Sequence, residues 1–147
     1  MSENHKRRAK ITGFGFTLIG VLAITIFMFF NFKTVVVTGN SMEPTYTNKE
    51  RVLVSKAYWL VGDIRQKDVI VFRDPSGEEV IKRVYGLPGD KIDFFNTPEE
   101  WNISSGEYVV PTGKYYVIGD NREVSEDSRK FGPIELKQIL GKVIANR

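Results

Sequence analysis

The chain has 147 residues, no cysteine, one histidine and a formal net charge of +3. That length holds one compact domain and a short appendage, and the absence of cysteine excludes disulfides, zinc–cysteine sites and thiol nucleophiles. The charge is local, because Lys6, Arg7, Arg8 and Lys10 against Glu3 account for all of it; the neutral remainder argues against nucleic acid as a partner.

In chain order, residues 1–10 read as a basic tail and 11–31 as a transmembrane anchor. The run ITGFGFTLIGVLAITIFMFF carries no charge. About 20 apolar residues rising ~1.5 Å each match a hydrocarbon core of roughly 30 Å. Bases collect on the cytoplasmic side of a span, so the expectation is a single-pass protein of the cell membrane with its N-terminus in the cytoplasm. Residues 32–147 would then be extracytoplasmic. A cleaved signal peptide is the alternative, but the apolar run exceeds a usual h-region and no small-x-small site follows FFNFK.

The exported part reads as mainly β. Short runs rich in Val, Ile, Tyr and Phe predict strands at 34–38, 51–56, 68–72, 78–86, 91–95, 106–110 and 114–120. DPSG, LPGD, NTPEE and PTG supply the turns between them. GPIELKQILG (132–141) predicts one short helix, opened by Pro133 and closed by Gly141. The apolar YWLVG (58–62) and FF (94–95) fit either core or a surface that touches the lipid bilayer.

GNSMEPTY (39–46) follows the first strand and is either an ordinary turn or a nucleophile held at a strand end. A serine hydroxyl needs an adjacent base. The one histidine, His5, is expected across the membrane from Ser41, which excludes a Ser-His-Asp triad. A lysine that has lost its proton remains, and burial in apolar surroundings lowers a lysine pKa. In EEVIKRVYG, two-residue alternation puts Lys82 on one face with Val80 and Val84. Lys56 shares a face with Val52 and Val54 but ends its strand, where it can snorkel to water.

GNSMEPT, RVLVSK, KRVYGLPGD and GDNREVSEDSR (119–129), in that order behind an apolar anchor, resemble the motifs of bacterial type I signal peptidases in their compact Gram-positive form. The resemblance implies a signal-peptidase-like β-sheet or barrel catalytic domain and a Ser/Lys dyad of Ser41 and Lys82. It implies no cofactor and no metal, and as partners the signal peptides of exported preproteins, cut after Ala-x-Ala-type sites. Ser125 would help position the lysine, and Asp127 and Arg129 would be structural. Where some members carry a serine that helps to bind the oxyanion, this chain has Gly39, so the hole would rest on backbone N–H, chiefly that of Ser41. Glu50 and Lys67 stand where the family often shows Asp and Gly. By position, Val35, Val37, Met42, Tyr46 and Ile81 would wall the pockets for the −1 and −3 residues, and they fit plain core equally well. The alternatives are a self-cleaving SOS-repressor type of Ser/Lys protease, opposed by the anchor, and a silent membrane-tethered relative acting in surface or pilus assembly.

Overall fold

The computed structural model describes residues 3–146, without the side chains of 3–13, Ile103 and Asn146. The charges of the expected basic tail therefore lie outside the described residues. The chain divides into two compact units, Met1–Lys33 and Thr34–Arg147.

In the first unit, helix α1 runs Glu3–Asn31. Its stretch Phe14–Asn31 has no buried residue and is long and apolar enough to cross a membrane, spanning about 27 Å at the helical rise. Polar side chains within it fold back onto the helix: Thr25 Oγ1 donates to Val21 O at 2.9 Å and Asn31 Nδ2 to Phe27 O at 2.9 Å. Such back-bonding satisfies the polar side chains without water.

The second unit is mainly β, as expected. Its strands are β1 (Phe32–Val36, beginning at the end of the first unit), β2 (Arg51–Ser55), β3 (Val69–Arg73), β4 (Glu79–Gly86), β5 (Lys91–Ile92), β6 (Tyr108–Val109), β7 (Lys114–Ile118), β8 (Ile134–Glu135) and β9 (Ile139–Asn146). Seven form one sheet in the order β1-β2-β9-β3-β4-β7-β8, and β5 pairs with β6 apart from it. β3 is buried along Val69–Phe72, which explains its unbroken apolar run. One cluster packs Val37, Met42, Val52, Val54, Val69, Val71 and Ile81; a second packs Ile64, Ile70, Phe72, Val84, Val117 and Ile134.

Three expectations are corrected. Residues 132–141 are not a helix: Ile134–Glu135 is strand, Leu136–Gln138 a single 3-10 turn, and Ile139 begins β9. Glu135 and Gln138 do cap each other as a helix start would, but Gln138 Nε2 also donates to Arg73 O at 3.0 Å, and the β-branched residues that follow pair on both sides, with β2 and β3. Gly141 is not a helix stop. A Cβ there would fall 2.6 Å from Val54 Cγ1 and 2.7 Å from Ser55 O, so the glycine lets β9 lie close against β2. The expected strand 91–95 ends at Ile92, where Asp93 caps a 3-10 turn over Phe94–Asn96. Tyr58–Val61 is a single helical turn (α2), and its Trp59 and Leu60 are exposed, as are Phe94 and Phe95.

Lys67 has a φ of +75°, in the left-handed region that favours glycine. Its backbone is held there by Lys67 N–H to Val84 O at 2.8 Å and by Arg83 Nη1 donating to Lys67 O at 2.8 Å. Lys67→Gly is expected to raise stability by about 0.5–1 kcal/mol, the relief of strain less the entropy a glycine adds to the unfolded chain. Chemical denaturation of the two proteins measures it, and an unchanged or lower midpoint would contradict the strain.

Candidate active site

Ser41 lies in the segment that leaves β1. Val37 N–H donates to Glu50 O and Lys49 N–H to Val37 O, both at 2.8 Å, closing the segment at its base. Met42, next to the serine, is fully buried, and Tyr46 N–H donates to Met42 O at 2.9 Å. The buried methionine anchors one neighbour while Ser41 itself stays half-buried. Gly39, at φ +84°, takes a backbone shape other residues resist. Its N–H donates to Asn48 Oδ1 at 3.1 Å, so it is engaged in the loop. The Ser41 N–H, by contrast, donates to no acceptor among the described residues.

Lys82 stands in the middle of β4, opposite Ile70 of β3, and is only 4% exposed. Its Nζ donates to Ser41 Oγ at 2.7 Å. Burial pushes the amine below the ordinary lysine value, with Asp127, Asp74 and Glu126 opposing through their charges. Lys56 is exposed, as its place at the end of β2 suggested.

The segment 119–129 closes the site from the other side. Asn121 N–H donates to Ser41 O at 3.0 Å. Arg83, next to Lys82 and on the opposite face of β4, grips Asp120 with two bonds, Nε to Oδ1 at 2.8 Å and Nη2 to Oδ2 at 2.6 Å. Gly119 passes closest: a Cβ there would meet Ser125 Oγ at 2.1 Å and Ser41 O at 2.6 Å. Only a glycine lets Ser125 and the Ser41 backbone approach this nearly. Ser125 is buried, its Oγ makes no bond to Lys82 Nζ, and its hydroxyl faces the Asp127 carboxylate, whose charged form it favours. Asp127 is fully buried. It accepts from Gly119 N–H at 3.0 Å and from Arg129 Nε and Nη2 at 2.9 and 3.0 Å, and it caps the short helix α3, Ser128–Phe131. Burial alone would raise its pKa, but the bonds from Arg129 and Gly119 outweigh that and hold it below the usual carboxylate range. Arg129 also reaches Arg122 O at 2.9 Å.

Gly119, Asn121 and the Arg83–Asp120 pair were not singled out from sequence. Gly119 and Asp120 open the GDNREVSEDSR motif, which was the available signal; Arg83 lies 37 positions from Asp120, and that contact has no local trace.

A cleft of about 460 Å³ holds Ser41 and Lys82, walled by 38–41, by Asp74 and Glu78 of the β3–β4 turn, and by Val124 and Glu126. None of Val35, Val37, Met42, Tyr46 and Ile81 lines it. All five pack into one apolar cluster, with Val37, Met42 and Ile81 buried and Val35 and Tyr46 partly so. Among the described residues no group of three or more His, Asp or Glu is placed to hold a metal ion.

The profile of signal peptidase, peptidase S26, matches residues 10–98 and 94–146. The chain belongs to that family. It is 35% identical to signal peptidase IB of Staphylococcus aureus (strain COL) over 73% of each chain. It is 33% identical to signal peptidase I of Bacillus caldolyticus, over 85% of this chain and 84% of the relative. A crystal structure of a signal peptidase I from Enterococcus faecalis V583 matches 56% of this chain and 97% of its own, at 27% identity and a TM-score of 0.45. Membership in S26 makes this chain a serine peptidase of the bacterial type I signal peptidase kind, as its motifs implied.

Proposed function

We propose that the chain is a membrane-anchored endopeptidase that removes signal peptides from exported preproteins after Ala-x-Ala-type sites, with Ser41 as nucleophile and Lys82 as general base. The observation that carries this reading is the 2.7 Å contact between Lys82 Nζ and Ser41 Oγ, made by a lysine whose burial favours the neutral amine. Neutral Lys82 takes the hydroxyl proton as Oγ attacks the scissile carbonyl. The unengaged Ser41 N–H is a ready donor to the oxyanion. The tetrahedral intermediate collapses, the proton passes to the departing amine, and an acyl-enzyme remains on Ser41. Lys82 then accepts a proton from the water that hydrolyses it. Ser125, a buried hydroxyl beside Asp127, is assigned to steadying the amine during these transfers.

The substrate is read as an extended strand added to β4. β4 pairs with β3 along 79–83, but its bonds to β7 begin only at Arg83. Among the described residues, 80–82 have no ladder on the β7 side, the kind of edge to which an extended peptide adds. Orientation follows the charge asymmetry around the helix: N-terminus in the cytoplasm, residues 32–147 outside.

Preprotein cleavage is the direct test, and its pH profile tests the base. The active amine is the neutral one, so kcat/KM is expected to rise with pH through the Lys82 pKa and to fall on acidification. Burial places that rise below the ordinary lysine value of 10.5. The same depression gives a stability signature: between the folded pKa and 10.5 the unfolded chain binds a proton that the folded one does not, so stability increases with pH across that interval. A profile flat from weakly acid to alkaline pH would contradict a lysine base.

Trp59 is 76% and Phe95 88% exposed, and exposed apolar rings of this size suit a contact surface; we assign them to the bilayer surface. Residues 32–147 alone are expected to cleave a soluble signal-sequence peptide poorly without detergent or lipid and better with vesicles, with Trp59→Ser and Phe95→Ser reducing the gain. Equal rates with and without vesicles would limit membrane contact to the anchor.

A further inference from the structure

The segment that closes the cleft is a thin partition. On one side its Val124 and Glu126 face the cleft of Ser41 and Lys82. On the other, Arg122, Ser125 and Arg129 border a second hollow of about 510 Å³, walled opposite by Phe95, Thr97 and Glu99. Glu123, Val124 and Glu126 are exposed. With a hollow on each side, packing fixes residues 122–126 only weakly, and tethers decide where they stand. Yet this stretch carries Ser125, and Asn121 just before it donates its N–H to Ser41 O at 3.0 Å.

Arg122 is the tether that crosses the second hollow. Its Nη1 donates to Asn96 Oδ1 at 2.6 Å, and its guanidinium carbon lies 5.2 Å from the centre of the Tyr85 ring, over the face. Its carbonyl accepts from Arg129 Nη2 at 2.9 Å, and Arg129 in turn grips Asp127. The far end of the tether is firm. Asn96 Nδ2 donates to both Asp93 carboxylate oxygens at 2.9 Å, and Asn96 O accepts from the hydroxyl of the fully buried Tyr116 at 2.7 Å. Tyr85 belongs to β4, the strand of Lys82, and donates to Asp93 as well. We propose that Arg122 is a positioning residue for the reaction: pinned to Asn96 and Tyr85, it seats the partition so that Ser125 and the Asn121–Ser41 bond keep their places while the proton moves between Ser41 and Lys82. The proposal rests on the dyad reading. Arg122 makes no bond to Ser41 Oγ or Lys82 Nζ, and its side-chain bond to Asn96 is exposed, so it adds little to stability. Its effect falls on the geometry of the reacting groups, where small displacements are costly.

The test uses the full chain in detergent, in excess over a peptide with one Ala-x-Ala site. The single-turnover rate constant at saturating enzyme does not depend on the fraction of molecules that are folded, so it separates positioning from stability. Arg122→Ala is expected to lower that constant about ten-fold, with the half-saturating concentration changed by less than about two-fold and Tm by less than about 3 °C. Asn96→Ala should also lower it, and the double variant should lose no more than the worse single one, because both changes cut the same tie. Arg122→Lys still reaches Asn96 with a donor but lacks the flat fork, and should recover part of the loss. A merely structural Arg122 would lower Tm and leave the constant unchanged. An unchanged constant in Arg122→Ala, or losses that multiply in the double variant, would overturn the proposal. No turnover by the unaltered chain would overturn the dyad reading and the positioning role with it.

Discussion

Ser41→Ala and Lys82→Ala are each expected to reduce preprotein cleavage by at least about a thousand-fold while the domain stays folded. The reason is inventory as much as geometry. The chain has no cysteine and its one histidine is His5, so no other side chain of the usual kind can take either part. Lys82→Arg is expected to be as inactive as the alanine variant, because a guanidinium stays protonated and cannot accept the hydroxyl proton. Losing the lysine does not threaten the fold, since a neutral, smaller group is less costly to bury than an amine. Ser125→Ala, which removes a buried hydroxyl beside Asp127, should slow the reaction without stopping it. Initial rates on a purified preprotein, with circular dichroism as the check on folding, measure all four. Activity above a trace in Ser41→Ala would end the assignment.

Asp127→Ala is expected to destabilise the domain by about 3 kcal/mol, the scale for removing one partner of a buried ion pair. The carboxylate is fully buried and its two oxygens take Arg129, Gly119 N–H and the first turn of α3. Removing it leaves the Gly119 N–H and the Arg129 guanidinium without their acceptor. For a domain of this size that is about 10 °C in Tm. The pH dependence carries the sign: the folded-state pKa of Asp127 is lowered, so its contribution is present above the ordinary carboxylate value and lost as pH falls through the folded one. The variant should therefore show a flatter loss of stability on acidification. An unchanged Tm would mean that the loop is held by other ties, Arg83–Asp120 foremost.

Lys82 was legible from sequence because its signal is local. A base flanked by valines at two-residue spacing in a strand has nowhere to go but the buried face, and β4 puts it there at 4% exposure. Ser41 was legible as a strand-end serine, turn or nucleophile alike, and it was the resemblance of the four motifs that paired it with Lys82 in the proposed dyad. The mainly β character followed from the same alternation. The segment 132–141 misled because helix signals and strand signals coincide in it. Pro133 and Gly141 mark a helix, yet the decision is tertiary: β9 fills the gap between β2 and β3, and Gly141 is small because Ser55 O is near. Gly119 was missed for the same reason. Its neighbours Ser125 and Ser41 are brought together only by the fold, and a glycine in a loop motif looks like a turn.

Covalent trapping at the nucleophile tests the central claim most directly. The full chain is mixed with an ester analogue of a signal-sequence peptide, quenched in acid within the first turnover, digested and mapped by mass spectrometry. The account predicts the acyl group on Ser41, accumulating faster as the pH rises, and none in Lys82→Ala. An acyl group on another residue, or acylation of Ser41 at an undiminished rate in Lys82→Ala, would contradict it.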